Sequence, residues 1–514
     1  MSNSNRDLVQ LLVAANEAGV AVWRSGDELH FRTERGRLPL WLREQLSKQK
    51  DRLLGYLKHA GISSAHTQML PNFRRMPWQA QVPSFRQATW DGIKNGQTGV
   101  DSSNCRYVVR ITSDLTRETV ERALETILQR YPVLSATVVE LNNSPCLCFS
   151  NERRPRLEWN DLSSMPASDR EARARELAGE HVWQAMDLGR GPLFKPFLIA
   201  LRSGEEHVFG FVIHHLIADT ITVEILVREF VAFFADPAQI DVQQHHHPQI
   251  VCQYTDYLLA MTEWQQSGPG LEQLAYWEGR LADVAPMQLS DDSNAGESKG
   301  SREYFSIGEA VATRIGDTSR RLGATDFLVL LAVQNVLLAG WLRVDRVTIG
   351  GVISGRDHPS LEATVGYLAD RVYWHTDLSG DPTFSEVVTR TRAAVEEAKC
   401  YQFVRSDIVK RRLREVGRPI CAPIFNFHPF SARESPSSSN NSTLAPFAIP
   451  PAPFATIPAP DVPYWMALAG GPEGMHGHMR YPGQRVDGLL AQFVKILSRA
   501  VDSHRLRVSE LIDR

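Results

Sequence analysis

The stretch FVIHHLIADTITVEIL, Phe211 to Leu226, joins an apolar run to a helical pattern through two adjacent histidines and an aspartate. Successive residues of a strand point to opposite faces, so His214 and His215 cannot both line one cavity if the strand stays regular. Asp219 precedes the helical pattern at an N-cap position, and Thr220 is a second candidate cap. From the residues alone, the stretch is either a catalytic histidine with its supports or a pair of core histidines before a capped helix.

The composition is that of a globular protein without a strong charge imbalance. The formal net charge of −3 argues against nucleic-acid binding. A length of 514 residues is enough for about three domains. No apolar run reaches the roughly 18 residues of a membrane span, and the N-terminal pattern differs from a signal peptide. We therefore expect a cytoplasmic protein that does not bind a membrane.

Two sets of metal-ligating residue types lack the spacing of a metal site. The six cysteines are scattered, and we expect them to be reduced and mostly buried. The histidines at 245–247 lie in the polar segment QQHHHPQ, without a second cluster of ligands. The sequence therefore predicts no metal site.

Residues 1–60 form a separate helix, hairpin and helix pattern. The segment VAVWRSGDELHFRTE (20–34) predicts two short strands around a turn at residues 25–28. Leucines recur at helical spacing on both sides of it, namely Leu8, Leu11 and Leu12 before the hairpin and Leu42, Leu46, Leu53 and Leu57 after it. Four arginines lie in the hairpin or just beyond it, namely Arg24, Arg32, Arg35 and Arg37. They either help an exposed edge strand to bind an extended acidic peptide or form a solvated basic face.

Strands and helices alternate beyond residues 61–80, which show no sustained period and are predicted to be a linker. Strands are predicted at 105–112, 193–201, 207–215 and 347–354, a hairpin at 134–150, and helices at 115–131, 168–180, from about 220, 327–343 and 384–403. The Ser- and Pro-rich segment 431–463 is predicted to be a long loop, because no packed core can be built from it. The alternation indicates an α/β fold.

Several segments resemble nonribosomal peptide synthetase condensation domains, which belong to the chloramphenicol acetyltransferase-like superfamily. HHLIADT (214–220) resembles their HHxxxDG motif. VPSFRQATWDG (82–92) resembles their S-x-x-Q-x-x-W element, and RYPVLSATVVE (130–140) their RHxxLR segment. The YxDYAxWQ region is matched by QYTDYLLAMTEWQQ (253–266) with AYWEGRL (275–281), and the stretch ending GxFxNTLxxR by residues 350–380.

The resemblance implies a fold. It implies two acetyltransferase-like halves, residues 81–265 and 266–514, arranged as a V-shaped pseudo-dimer with the active site in a tunnel between them. The chain's last residues resemble the final helix and exit strand of a condensation domain. Residues 1–60 resemble the small docking domains that capture the C-terminal tail of an upstream carrier protein.

The resemblance also implies roles for individual residues. His215 is expected to assist the nucleophile, as a base or by orienting it, and an unperturbed histidine pKa of about 6.5 would leave it mostly neutral. His214 would brace it. Asp219 is expected to pair with Arg356, and two further candidates are Asn426, as a polar group near the reacting centre, and Thr220. Thr220 replaces the motif's glycine, and a β-branched residue there can narrow the donor tunnel.

The implied reaction is acyl transfer from a carrier-protein phosphopantetheine thioester to an amine or hydroxyl, with no permanently bound cofactor. No adenylation domain or carrier serine motif follows, so we expect a free small-molecule acceptor and chain release as an ester or amide. Stand-alone chain-releasing condensation enzymes of hybrid polyketide pathways, such as the enacyloxin type, have this organisation. The alternatives are an epimerisation-type relative and a catalytically inactive docking or recruitment platform, which Thr220 suggests.

Overall fold

A computed structural model describes most of the chain. The described residues are 8, 11, 14–15, 20–25, 28–33, 38–59, 81–83, 90, 104–113, 115–141, 143–149, 154–202, 204–235, 250–282, 284, 301–429, 443–449, 462–471, 473–481 and 486–512. The predicted linker at 61–80, the histidines at 245–247, Arg35 and Arg37 lie outside them.

The N-terminal module contains the predicted hairpin. Strands β1 (Val20–Ser25) and β2 (Glu28–Thr33) pair antiparallel, with Ser25 opposite Glu28. The helix predicted after the hairpin is two helices, α1 (Leu40–Lys48) and α2 (Lys50–His59). The module has an apolar cluster of its own, formed by Leu8, Leu11, Ala15, Val20, Val22, Leu42, Leu46 and Leu53. This cluster is separate from the large core of the remaining chain.

The first lobe contains two sheets. One is five-stranded, in the order β14-β4-β9-β8-β7, and the other is three-stranded, in the order β3-β6-β5. Their strands are β3 (Gln81–Pro83), β4 (Asn104–Thr112), β5 (Ala136–Leu141), β6 (Ser144–Phe149), β7 (Glu158–Asp161), β8 (Phe194–Arg202), β9 (Glu206–His214) and β14 (Thr443–Pro446). Its helices are α3 (Arg117–Arg130), α4 (Ala167–Trp183) and α5 (Thr220–Ala235). The strands and helices predicted for this lobe are confirmed.

The second lobe is built on a six-stranded mixed sheet in the order β10-β16-β15-β13-β11-β12. Its strands are β10 (Ser301–Ile307), β11 (Arg346–Ile353), β12 (Asp370–Asp377), β13 (Ile424–Pro429), β15 (Trp465–Gly471) and β16 (Gly474–Tyr481). The helices, which begin with two that follow the first lobe, are α6 (Tyr254–Gln265), α7 (Gly268–Arg280), α8 (Glu309–Arg321), α9 (Asp326–Leu342), α10 (Phe384–Cys400), α11 (Ser406–Glu415), α12 (Leu489–Asp502) and α13 (Val508–Leu511). Helix α9 is nearly all apolar, as is typical of a helix with no solvated face, and its residues 328–339 are buried.

Two predictions for the C-terminal part of the chain are wrong. Within the supposed loop at 431–463, strand β14 pairs antiparallel with β4, with Thr443 opposite Thr112, and Phe447 directly after it is buried. Pro446 does not prevent this, because proline is tolerated in an edge strand. The exit strand predicted after α12 is the short helix α13, at whose start the Arg507 backbone N–H donates to Glu510 Oε2 at 2.6 Å.

Within the described part of the chain, no single helix is long and apolar enough to cross a membrane. Helices α8 and α9 reach that length and composition only as a pair, and the chain bends by 102° between them.

Candidate active site

The two adjacent histidines occupy different environments at the end of strand β9. The strand ends at His214, which is fully buried, and His215 lies in the following turn and remains partly exposed. The two rings therefore differ in exposure, and that only one of them faces a cavity stays a prediction. The reason for the difference is the end of the strand rather than the alternation of a regular strand.

His214 is held as a neutral core residue. Its Nδ1 accepts a hydrogen bond from the Leu216 backbone N–H at 3.1 Å, so the ring proton is on Nε2, for which the described residues offer no acceptor. Burial, together with the neighbouring charge of His215, lowers the pKa of His214 to about 3. His214 therefore supports the turn that carries His215.

His215 uses one ring nitrogen for its contacts. Its Nδ1 lies 2.6 Å from the Ala218 carbonyl oxygen, which can only accept, so Nδ1 carries a hydrogen. The Cys105 sulfur is 3.7 Å from the same nitrogen. Both hydrogen-bond contacts found among the described residues involve Nδ1. The neutral form of the ring therefore has its lone pair on Nε2, where a substrate proton can be accepted.

The surroundings of His215 raise its pKa. Burial disfavours the charged ring, but electrostatic interaction with Cys105 and Tyr367, and hydrogen bonding to Cys105 and the Ala218 carbonyl, raise the pKa of His215 to about 10. This direction favours the charged ring more than the sequence-based expectation of a mostly neutral His215 does, and the protonation state of His215 stays a prediction. A charged ring carries N–H groups on both nitrogens, and Nε2 then acts as a hydrogen-bond donor.

The predicted ion pair between Asp219 and Arg356 is present and buried. The Arg356 Nη1 and Nη2 atoms donate to the two Asp219 oxygens at 2.7 and 3.0 Å, and the side chains are 5% and 2% exposed. Burial alone would raise the pKa of Asp219, but Arg356 and the backbone N–H groups of Thr222 and Ala369 hold it below the ordinary value. Asp219 also receives the Thr222 N–H at 2.9 Å, which makes Asp219 the N-cap of α5.

This ion pair is part of a network that connects the lobes. Asp219 Oδ2 accepts from the N–H groups of Leu368 and Ala369 at 2.9 and 3.0 Å. Arg356 Nη2 donates to the carbonyl of Thr364 at 3.0 Å. The segment 364–369 of the second lobe is thereby attached to the start of α5 in the first lobe.

The structure also places four other predicted residues. Thr220 is exposed at the first position of α5. Asn426 lies on β13 of the second sheet, where its Oδ1 accepts from the Val352 N–H at 3.3 Å. In the module, Arg24 on β1 is opposite Leu29, and Arg32 on β2 is opposite Ala21. The catalytic or docking role of these residues stays a prediction.

Cys105 and Tyr367 are site residues to which the sequence analysis assigned no role, although Tyr367 lies in the matched stretch 350–380. The Tyr367 ring is stacked on the His215 ring, with centroids 4.7 Å apart and planes at 17°. The cysteines form no disulfide, but only Cys146 and Cys252 are buried, so the expectation of mostly buried thiols is wrong. No local pattern marks Cys105 or Tyr367, because each reaches His215 from a different part of the chain.

Among the described residues, no group of three or more histidine, cysteine, aspartate or glutamate side chains is arranged to hold a metal ion. The groups around His215 that carry chemistry are an imidazole, a thiol and a phenol. They are suited to proton transfer and to hydrogen bonding of a developing oxyanion.

Two family models match the chain. The model described as Condensation domain matches residues 94–456, which include the histidine turn and the Arg356 segment. The model described as TubC N-terminal docking domain matches residues 8–59, which include the hairpin module. The two matches divide the chain in the same place as the separate apolar clusters.

Similar proteins include peptide synthetases and solved condensation-type structures. A linear gramicidin synthase protein of Brevibacillus parabrevis is 29% identical over 347 residues, which are 66% of this chain but only 7% of that protein. A structure on condensation domain-mediated chain release from the enacyloxin polyketide synthase has a TM-score of 0.64 at 19% identity and covers 98% of this chain and 97% of its own. A complex of the X-domain and OxyB from teicoplanin biosynthesis has a TM-score of 0.67 at 19% identity, with coverages of 86% and 98%. At these identities the structures show a shared two-lobed fold.

Proposed function

This chain belongs to the condensation-domain family, whose members are acyltransferases of nonribosomal peptide synthetases, and we propose that it transfers an acyl chain from a carrier-protein phosphopantetheine thioester to an amine or hydroxyl. The observation that carries the proposal is the state of His215. Its Nδ1 is engaged by the Ala218 carbonyl, and Nε2 is left for substrate at a partly exposed position beside the second lobe.

The bond changes of the proposed step are simple. The acceptor nitrogen or oxygen attacks the thioester carbonyl carbon, negative charge develops on the carbonyl oxygen, and the carbon–sulfur bond breaks. The acceptor loses one proton and the pantetheine thiol gains one. His215 Nε2 supports this exchange either by accepting the acceptor's proton or, as a charged ring, by donating to the oxyanion.

The raised pKa of His215 separates these two roles. If His215 is the base, only its neutral form is active, so kcat/KM rises with pH up to about pH 10. If the charged ring stabilises the oxyanion, kcat/KM is flat near neutral pH and falls as the ring loses its proton. The measured pH profile of kcat/KM, compared between wild type and His215→Gln, distinguishes them.

The hairpin module is proposed to bring the donor to the site. Its match to the docking-domain model supports this role, and strands β1 and β2 form a two-stranded sheet to which an extended peptide can add a strand. The partner is the C-terminal tail of an upstream acyl or peptidyl carrier protein. Arg24 and Arg32, which lie on these strands, favour an acidic tail.

The acceptor is proposed to be a free small-molecule amine or alcohol, with release of the acyl chain as an amide or ester. The fold match over 98% of this chain to a structure on chain release from the enacyloxin polyketide synthase, module included, supports this form of the reaction. In this reaction, phosphopantetheine arrives as part of the carrier-protein donor and is not a cofactor bound by this chain.

The test is mass spectrometry of acyl transfer. Acyl-pantetheine thioesters are incubated with the protein and a panel of amines and alcohols, with His215→Ala as the matched control. The proposal expects a new amide or ester together with free pantetheine, formed by the wild type and strongly reduced in the control. Equal product with both proteins, or none with any donor and acceptor, contradicts it.

A recruitment platform is the second candidate. The structure of the X-domain in complex with OxyB shows a similar fold bound to another protein. An epimerisation-type reaction is a third outcome of the same assay, in which an aminoacyl thioester would exchange its α-hydrogen with deuterated water and form no new bond. A platform would leave every thioester unchanged and retain a protein partner after His215→Ala.

A further inference from the structure

The ring contact between Tyr367 and His215 has no assigned role in the motif or in the implied reaction. The two rings are nearly parallel, with an angle of 17° between their planes, and their centroids are 4.7 Å apart. Tyr367 comes from the second lobe, and His215 is in the first. The contact therefore depends on how the lobes meet.

The backbone on both sides of Tyr367 is fixed by side chains of the first lobe and of α6. The Thr222 hydroxyl donates to the Gly366 carbonyl at 2.7 Å and accepts from the Gly366 N–H at 2.9 Å. Asp219 accepts from the N–H of Leu368 at 2.9 Å. The Tyr254 hydroxyl donates to the carbonyl of Tyr367 itself at 3.2 Å. Tyr367 thus has little freedom to leave the His215 ring.

Gly366 allows this segment to approach α6. A Cβ atom built on Gly366 would lie 2.3 Å from the Tyr254 ring, so the ring or the backbone would have to move to accommodate a side chain. The ring of Tyr254 fills the space that a side chain would need. The glycine before Tyr367 is therefore required by the same packing that places Tyr367.

A single hydrogen bond does not hold an imidazole ring in one orientation. The bond from Nδ1 to the Ala218 carbonyl sets one edge of the ring, but the ring can still tilt about that bond. A flat contact on its face removes the tilt. We propose that Tyr367 is a positioning residue for His215, which holds Nε2 in the direction of the reacting groups.

The inference rests on the proposed acyl transfer and adds a role for the buried ion pair. Asp219 and Arg356 bind the segment 364–369 through hydrogen bonds, and this segment carries the Tyr367 ring that stacks on His215. Loss of the network then reduces the rate through misplacement of His215, in addition to its effect on stability. A displacement of about 1 Å at a reacting group costs on the order of 10²-fold in rate.

The kinetic test compares Tyr367→Leu with Tyr367→Phe, using octanoyl-pantetheine as the donor and hydroxylamine as the acceptor, with the uncatalysed rate subtracted. Phenylalanine keeps the ring face, and leucine removes it. We expect Tyr367→Leu to lower kcat by roughly 10- to 100-fold with KM changed by less than about threefold. With each protein at its own pH optimum, because loss of the hydroxyl removes its effect on the pKa of His215, Tyr367→Phe should stay within about threefold of wild type. A wild-type kcat in Tyr367→Leu, or an equal loss in both variants, overturns the proposal.

Tyr276→Leu is the matched control for general damage. Tyr276 is also a partly buried, stacked tyrosine, with its ring centroid 3.5 Å from that of Tyr401 in the second lobe. It should retain the wild-type kcat even if its melting temperature falls as far as that of Tyr367→Leu. Equal loss of kcat in the two leucine variants would mean that the effect is general, and it overturns the proposal.

A spectroscopic readout decides the inference without any turnover. The stacked tyrosine should shift the carbon-bound ring protons of His215 upfield in the NMR spectrum, with the resonance assigned by its loss in His215→Gln. The shift should persist in Tyr367→Phe and disappear in Tyr367→Leu. If wild type forms product with no donor and acceptor of the panel but shows this pattern, the proposed function fails and the positioning of His215 stands. An identical shift in all three proteins overturns the inference.

Discussion

The N-terminal module and the site between the lobes are built in different ways. Among its described residues, the module packs eight buried apolar side chains into a cluster of its own, separate from the main core. The site depends on buried polar groups, with Asp219 and Arg356 joined by two hydrogen bonds and attaching a segment of one lobe to a helix of the other. A module with an apolar cluster of its own can be deleted without opening the main core. A polar network between two lobes cannot lose one member without leaving others unsatisfied.

The largest expected effect is on the chemistry of the site. His215→Ala should reduce acyl transfer by about 10²- to 10⁴-fold with a carrier-bound donor and with a small thioester alike, because a general base or an orienting group supplies that much. Initial rates with the two donors measure it. An unchanged rate in the variant would remove His215 from the mechanism.

The second effect is on stability and should be confined to the polar network. Arg356→Ala should lower the free energy of unfolding by about 3 to 5 kcal/mol, because Asp219 is left as a lone buried charge. Arg117→Ala is the control, since its pair with Glu121 is exposed (54% and 45% of the two side chains) and should contribute less than about 1 kcal/mol. Urea unfolding gives both values. Arg356→Ala that unfolds like the wild type would contradict the structural role of the pair.

The third effect tests whether the module acts only through delivery. Deletion of residues 1–60 should reduce turnover of a carrier-bound acyl chain by roughly 10²-fold at low concentration, because docking makes delivery nearly intramolecular. Turnover of a small pantetheine thioester should be almost unchanged. Equal loss with both donors would show that the module is part of the catalytic fold.

Reversing the charge of two hairpin arginines tests which part of the module binds the carrier tail. Arg24→Glu with Arg32→Glu should reproduce part of the deletion defect if the recruited tail is acidic. The matched control reverses Arg43 and Lys48, which are exposed on α1, and should have little effect. Kd values for the carrier tail measure both. An equal loss of affinity in the two double variants would mean that net charge, rather than the hairpin, attracts the tail.

The smallest expected effect is the dependence of the free energy of unfolding on pH that is caused by His214. The folded pKa of His214, about 3, lies below its unfolded value of about 6.5, so the unfolded chain binds the extra proton. Stability is therefore lost as the pH falls through 6.5 towards 3, by about 2 kcal/mol at pH 5. His214→Asn keeps an acceptor for Leu216 and should lose this share of the pH dependence, as measured by urea unfolding at pH 7 and pH 5. An unchanged pH dependence would contradict the assignment.

The sequence predicted the elements whose patterns are local. The hairpin at 20–33, the N-cap at Asp219 and the helix beginning at Thr220 are encoded by neighbouring residues. The edge strand at 443–446 was missed, because its partner β4 is far away in the chain and its own composition is typical of a loop. Sequence reasoning finds a strand by its period, and a strand of four residues has almost none.

The sequence by itself determined the family, through motifs that are short and in order, and with it the expectation of an Asp219–Arg356 pair and of a single chemical histidine. Only the tertiary structure decided which distant groups surround that histidine: the Cys105 sulfur and the Tyr367 ring from the other lobe. The physical reason is distance along the chain. The hydrogen bonds that hold the segment 364–369 join residues as much as 150 positions apart, and the direction of the pKa shift of His215 depends on the distant Cys105 and Tyr367 as well as on the nearby Ala218 carbonyl.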